Sequence, residues 1–131
     1  VVATCGREKL LRDRSLPSIQ KQTVAPARVC VVLDEADSAS TDLQALRQDF
    51  PKFDFIRNCR TKGASGAWNT GVMQVATLPE VQMYCYLAIL DDDDSWERNH
   101  LETCLKETEN GLADLVVSGI VRHEGGENRK Q

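Results

Sequence analysis

Apolar residues along the chain follow two kinds of pattern. Short continuous runs, such as 28–33 and 84–90, contain almost no charged side chains, so they predict strands buried on both faces of a sheet. Between these runs, apolar residues recur every three or four positions, which is typical of helices with one inward face. The predicted strands are 1–4, 28–33, 53–57, 84–90 and a last strand made of 115–117 and 120–121. The predicted helices are 8–23, 41–50, 63–77 and 96–110.

Local signals mark the ends of several of these helices. Pro17 is expected to kink the first helix or to begin a new turn, and Pro51 is expected to end the second. Thr41 and Gln44 have the spacing of a capping box. The small residues of 63–71 allow a close backbone approach, either to an anion at the helix N-terminus or to the sheet itself.

The alternation of strands and helices predicts an α/β fold, Rossmann-like, with three α/β/α layers and a mostly parallel sheet. A chain of 131 residues can build one sizeable core, so we expect residues 1–131 to form a single domain or a large piece of one. Residues 124–131 are expected to be a polar tail. Because Val1 already lies in an apolar run, we also expect a few residues to precede it.

Four consecutive carboxylates, Asp91 to Asp94, directly follow the predicted strand 84–90. Acids crowded at the end of a buried strand repel one another and resist desolvation, so a bound divalent cation is a natural way to hold them together. Their hard oxygen ligands favour magnesium, manganese or calcium over zinc. The alternative is a solvated turn in which Asp94 and Glu97 cap a helix that begins near Trp96. A cap needs only one acid, which favours the cation site for the whole run.

Thr4 and Asp34 also stand where predicted strands end. Parallel sheets bind ligands outside the carboxyl ends of their strands, so Thr4, Asp34 and the acidic run are expected to face one crevice.

Charge and cysteine content narrow the class of protein. Sixteen basic against 20 acidic residues give a net charge of −4, which argues against nucleic-acid coating or membrane-surface binding. The five cysteines form no close metal-ligand pair, and Cys30 and Cys85 lie in apolar runs. These features predict free thiols in a reduced, cytoplasmic setting, with no membrane span in the chain.

Five segments, in order along nearly the whole chain, resemble the family 2 glycosyltransferases, whose nucleotide-sugar domain is of the GT-A type. The segments are the opening strand and loop 1–7, the helix segment 15–23, the second strand with its acid 31–35, Asn69-Thr70-Gly71, and the strand-to-DxD segment 90–96. The resemblance implies metal-dependent transfer, with inversion, of a sugar from a nucleotide-diphosphate-sugar donor to an unknown glycan, lipid or protein acceptor.

The resemblance also implies roles for individual residues. Thr4 and Cys5 would flank the nucleotide base, and Asp34 would accept hydrogen bonds from the base or ribose. Asp93 would be the principal ligand of Mn²⁺ or Mg²⁺. The full set implied to bind the nucleotide sugar is Thr4, Cys5, Arg7, Asp34, Lys62, Asn69, Asp91 and Asp92. The implied metal ligands are Asp91 and Asp93.

The same resemblance implies that the catalytic base lies beyond residue 131. Within the chain, Glu124 and Glu127 are poor candidates for the base because they lie in the polar tail. A domain cut at its acceptor side would expose apolar surface, so a homodimer is an expectation.

Two other classes of protein share some of these sequence features. A GT-A-like module could hold a nucleotide sugar without turning it over. A receiver-type signalling domain has a similar length and also binds magnesium, but it needs an acid pair after the first strand. Thr4, Cys5 and Gly6 supply no acid there, so the receiver reading is disfavoured.

Overall fold

A computed structural model of the chain describes residues 1–34, 42–78, 86–109 and 113–121. Its centre is a sheet of four parallel strands in the order β3-β2-β1-β4. The strands are β1 Val2–Thr4, β2 Cys30–Leu33, β3 Asp54–Arg57 and β4 Leu90–Asp91. Helix α1 consists of three consecutive segments, Glu8–Leu10, Leu11–Ser15 and Leu16–Gln20. The other helices are α2 Leu43–Asp49, α3 Ala64–Ala76 and α4 His100–Glu109.

Helices cover both faces of this sheet. On one face, Leu11 of α1 and Leu46 of α2 are fully buried in the main core. On the other face, Ala67 of α3 packs against Val32 of β2. All four positions of β2 are buried, as a central parallel strand requires. The predicted three-layer α/β fold with a parallel sheet is therefore confirmed.

Helix α1 passes Pro17 by widening one turn before it. The N–H of Leu16 donates to the carbonyl of Leu11, five residues earlier, so Leu11–Ser15 is a π-helical turn. A proline lacks the N–H of a regular helix and its ring crowds the preceding turn. The expected disturbance at Pro17 is thus a local widening upstream of it, and the helix continues to Gln20.

Two helix starts differ from the sequence prediction. Helix α2 is capped by Asp42, whose carboxylate accepts the N–H groups of Gln44 and Ala45 at 3.0 Å, so the proposed capping box is wrong by one position. The cap that the sequence predicts, Thr41, lies outside the described residues.

Helix α4 begins at His100 rather than near Trp96, and Asp94 therefore does not cap it. The segment before the helix is bonded to α1 instead: Ser18 Oγ accepts the Trp96 N–H at 3.2 Å. This tertiary contact keeps the segment out of the helical conformation.

The strand predicted over 84–90 is much shorter than expected. Only Leu90–Asp91 pairs with β1, and residues 79–85 lie outside the described part of the chain. Tyr86, Leu87 and Ile89 are 57%, 47% and 46% exposed. The prediction of burial on both faces is wrong for these three side chains, because they precede β4 and are not part of the described sheet.

The last predicted strand, 115–121, is also wrong. Four of its apolar side chains are strongly exposed, between 78% for Leu115 and 86% for Ile120, while Val116 is half-buried, and the segment pairs with no strand of the described residues. β-Branched residues favour a strand, but that preference produces one only where a neighbouring edge is available. The predicted polar tail 124–131 lies outside the described residues.

The cysteines that the structure describes, Cys5, Cys30, Cys59 and Cys104, are all free thiols. Cys30 is 2% exposed, and burial raises the pKa of its thiol to about 11. It therefore stays protonated at neutral pH and packs as a small apolar residue. None of the helices in the described part of the chain combines the length and the apolar content needed to cross a bilayer.

Candidate metal centre

At one edge of the sheet, a polar residue lies at or directly after the carboxyl end of each of the four strands. Thr4 ends β1, while Asp34, Asn58 and Asp92 directly follow β2, β3 and β4. Backbone pairing continues past the strand ends, since the Asp34 N–H donates to the Thr4 carbonyl at 2.7 Å. The parallel topology thus brings residues from four separate parts of the chain to the same edge.

The acidic run folds into a turn at this edge. The Asp94 N–H donates to the Asp91 carbonyl at 3.3 Å. Carboxylate oxygens from Asp91, Asp93 and Asp94, one from each residue, all lie within 4.8 Å of one another. Three hard oxygen donors at this separation suit Mg²⁺ or Mn²⁺. The residues present therefore fit a divalent cation, and Asp94 would add a third carboxylate to the two that the sequence suggested.

Burial and repulsion between like charges both disfavour the ionised carboxylates of this turn. Burial raises the pKa of Asp91, and the charges of Asp93, Asp94 and Asp92 raise it further. A cation bound by these carboxylates would offset both effects, because it stabilises their charged forms.

Asp92 differs from the other three acids because its side chain is completely buried. One of its oxygens, Oδ2, accepts a hydrogen bond from Thr4 Oγ1 at 2.6 Å and another from Arg7 Nε at 3.2 Å. The other oxygen, Oδ1, forms an ion pair with Arg7 Nη2. Arg7 also reaches the exposed turn, where its Nη1 donates to Asp93 Oδ2 at 2.7 Å. These contacts tie the end of β1 and its loop to the end of β4.

Helix α1 holds the chain that follows the acidic turn. In the middle of this helix, Arg14 Nη1 donates to the Asp93 carbonyl at 3.2 Å. Just beyond its end, the buried side chain of Gln22 donates to the Glu97 carbonyl at 2.8 Å and accepts the Leu101 N–H at 2.9 Å. Sequence reasoning missed Arg14 and Gln22, because their partners lie more than 70 residues away in the chain.

Asp34 organises the neighbouring loop and the start of α3. Its side chain is buried, and Oδ1 accepts a hydrogen bond from Asn58 Nδ2 at 2.7 Å. Oδ2 accepts the backbone N–H of Gly63 at 2.6 Å. Thr70 Oγ1 in turn donates to Asn58 Oδ1 at 2.7 Å. A carboxylate can accept about four hydrogen bonds, so Asp34 keeps acceptor capacity beyond these two.

The other residues suggested by the sequence lie around this network. Cys5 is exposed in the loop after β1, and Lys62 is exposed next to Gly63. Asn69 is exposed on α3, whereas its neighbour Thr70 makes the contact with Asn58. Among the described residues, the side chains of Lys62 and Asn69 form no hydrogen bond with Asp34 or with the acidic turn.

The two glycines of α3 serve packing. A Cβ on Gly66 would lie 1.7 Å from the Thr61 carbonyl oxygen, and one on Gly71 would lie 2.5 Å from Val1 Cγ1. Of the two explanations for the small residues of 63–71, close packing therefore accounts for Gly66 and Gly71.

A parallel α/β sheet with an acidic turn at its carboxyl edge defines a class of ligand-binding α/β domains. Within that class, the chain matches the family model described as Glycosyl transferase family 2 over residues 1–131, its whole length. The chain therefore belongs to glycosyltransferase family 2. No curated protein and no solved structure matches it at a significant level.

Proposed function

We propose that this chain is the donor-binding part of a metal-dependent glycosyltransferase. In the proposed reaction, a sugar passes from a nucleotide-diphosphate-sugar donor to an acceptor hydroxyl of a glycan, lipid or protein, with inversion. Family membership supports glycosyl transfer in general. The observation that carries the donor and metal assignment is the cluster of Asp91, Asp93 and Asp94 at the carboxyl edge of the sheet.

In this proposal Asp93 is the principal ligand of Mn²⁺ or Mg²⁺, with Asp91 and Asp94 beside it. A divalent cation at this position supplies neutralisation of the negative charge that develops on the departing diphosphate. Asp34 and the loop of Thr4 and Cys5 then bind the nucleoside part of the donor. Asp34 is suited to this role because its fixed carboxylate still has free lone pairs.

Lys62 and Asn69 are proposed to contact the donor from the α3 side. Both side chains are exposed, and Lys62 adjoins Gly63, whose N–H is held by Asp34. A lysine beside the nucleoside-binding carboxylate offers a flexible point charge to a phosphate.

The first test is thermal unfolding across nucleotides, nucleoside diphosphates and sugar nucleotides, each with and without Mn²⁺. We expect stabilisation only by compounds that contain a diphosphate, and only with the metal present. At a ligand concentration of about 100 times Kd, the added stability should be about 2.7 kcal/mol. Equal stabilisation with and without metal would contradict the metal-dependent assignment.

Asp93→Ala should abolish the metal-dependent shift and leave the fold intact, because it removes one of several repelling carboxylates. Asp13→Ala is the matched control, since it removes a carboxylate from an exposed position on α1, where Asp13 pairs with Lys9. A chain that binds donor and metal but releases no nucleoside diphosphate, with or without acceptors, would instead be a non-catalytic nucleotide-sugar-binding module.

A further inference from the structure

Arg7 stands between the buried and the exposed parts of the acidic turn. Its Nε donates to Asp92 Oδ2 and its Nη2 forms an ion pair with Asp92 Oδ1, so this edge of the guanidinium is held by a two-point contact. The remaining atom, Nη1, is directed at Asp93 Oδ2. The Arg7 side chain is 43% exposed, whereas that of Asp92 is fully buried.

Asp92 is not accessible to a ligand, because its side chain is fully buried and its two oxygens face Thr4 and Arg7. The buried carboxylate of Asp92 instead fixes the plane of the Arg7 guanidinium through their contact. Asp92 therefore acts through Arg7 as a positioning residue, while the partly exposed Asp93 remains accessible at the surface of the turn.

Asp93 belongs both to the Arg7 ion pair and to the carboxylate cluster. A guanidinium stays charged at any physiological pH. If Asp93 ligates a divalent cation and also keeps Arg7 Nη1, two cations come close together and repel each other. Binding of the divalent cation thus favours release of Nη1, while the other edge of Arg7 stays anchored on Asp92.

We propose that Arg7 is a ligand of the donor diphosphate that is stored on Asp93 and handed over when the metal binds. This inference rests on the proposed function. The Nη1 group released from Asp93 lies beside the metal ligands, where an anionic oxygen of a metal-bound diphosphate would replace the Asp93 carboxylate as its acceptor. Before the donor binds, Arg7 thereby competes with the metal for Asp93. Once the donor is bound, Arg7 donates a hydrogen bond to the donor's diphosphate.

The test measures two affinities in the full chain, that for Mn²⁺ alone and that for pyrophosphate in the presence of saturating Mn²⁺. For Arg7→Gln we expect Mn²⁺ alone to bind about fivefold more tightly, because the competing cation is gone. Pyrophosphate should bind about tenfold more weakly, because a charge-assisted hydrogen bond is lost. Opposite changes in the two affinities are the signature of the exchange, and a purely structural role of Arg7 would not produce them.

Two further variants sharpen the test. Arg7→Lys keeps the charge without the bidentate fork, so its pyrophosphate affinity should fall between those of the wild type and Arg7→Gln. Lys9→Gln removes a positive charge two positions along the chain, from an exposed side chain paired with Asp13, and should leave both affinities within about twofold of the wild type.

If Arg7→Gln weakens both affinities, or changes neither, the exchange is refuted while the metal site of the proposed function stands. If the wild type itself fails to bind Mn²⁺, the proposed function fails together with the exchange. Asp93→Ala separates these cases, because it must abolish Mn²⁺ binding for the metal site to be real.

Discussion

Thr4 shows how one buried hydroxyl can set the geometry of the whole acidic turn. It is 4% exposed, and its hydroxyl donates to the fully buried Asp92 at 2.6 Å. A buried carboxylate is tolerated only where hydrogen bonds replace its water. Thr4 and Arg7 together supply those bonds, so Asp92 faces inward while its neighbours in the run remain available for a ligand.

Thr4→Val removes this hydroxyl and keeps the shape and β-branching of the side chain. We expect the free energy of unfolding to fall by about 1–3 kcal/mol, because Asp92 loses a partner in a dry environment. Urea denaturation measures the change. Thr4→Ser retains the hydroxyl and should recover most of the loss; equal destabilisation by both variants would show that the hydrogen bond is not responsible.

Asp91 predicts a pH dependence. Burial, and then the neighbouring acids, raise its pKa in the folded state above the unfolded value. The folded state then binds a proton more readily, so without metal this residue makes the protein less stable as pH rises through the raised pKa. Below the ordinary pKa this loss of stability is absent, because Asp91 is protonated in both the folded and the unfolded state.

Asp91→Asn should therefore unfold at a higher temperature than the wild type at a pH of about 7 without metal, and the difference should shrink towards a pH of about 4. Thermal unfolding at several pH values measures it. Asp13→Asn, at the exposed Asp13 site on α1, is the control and should show no such trend. A variant less stable than the wild type at neutral pH would contradict the argument.

At the scale of elements, the start of α3 depends on contact between backbones. Gly66 lies against the carbonyl of Thr61, and Gly63 precedes the helix with a φ of 119°, in the region that favours glycine. Asp34 holds the Gly63 N–H, so β2, the loop and α3 form one connected unit at the site.

Gly66→Ala sets helix propensity against packing. The alanine gains about 1 kcal/mol of helix propensity, but its Cβ would lie 1.7 Å from the Thr61 backbone oxygen, a clash that backbone movement must relieve. Overpacking typically costs about 1–3 kcal/mol, so we expect net destabilisation in urea denaturation. The control is Ser65→Ala, at an exposed position beside it, which should change stability by no more than about 0.5 kcal/mol. A more stable Gly66→Ala would show that α3 can shift without cost.

The elements predicted well from sequence are those whose evidence is local. Four consecutive apolar residues predict that strand β2 is buried, and Gly63 marks the start of α3. Burial before β4 was predicted wrongly, because it depends on whether the segment joins the sheet and is covered by other elements, and not on its own residues alone. The same reasoning explains why 115–121 has a strand-like composition but no partner strand in the described part of the chain.

The candidate site divides in the same way. Thr4, Asp34 and the acidic run could be predicted because each follows an apolar run and parallel strands end at one edge. The contact of Arg7 with Asp92 joins residues 85 positions apart, and that of Gln22 with Glu97 joins residues 75 apart. No periodicity encodes such pairs, since they arise only when the sheet brings distant segments together.

At the scale of the whole molecule, apolar surface is concentrated on two segments. Tyr86, Leu87 and Ile89 are exposed before β4, and the segment 115–121 exposes four large apolar side chains. Exposed apolar side chains in such numbers favour association where they form a common surface. The edge strand β4 also offers backbone groups to another chain, because it has a single neighbour in the described sheet.

We therefore expect the isolated chain to self-associate as its concentration rises, in line with the homodimer expected from the sequence. Sedimentation velocity measures this association. Replacing Val117 and Ile120 by lysine should raise the dissociation constant by at least about tenfold, because burying one such side chain contributes about 1.5–3 kcal/mol. Met73→Lys is the matched control: Met73 is 52% exposed on α3, away from both segments in sequence, and its substitution should leave association unchanged. A chain that remains monomeric at about 100 μM, a concentration at which even a weak contact would be populated, would show that these side chains do not drive association. If instead Met73→Lys weakens association as much as the double variant, the added positive charge rather than the loss of apolar contact would be the cause.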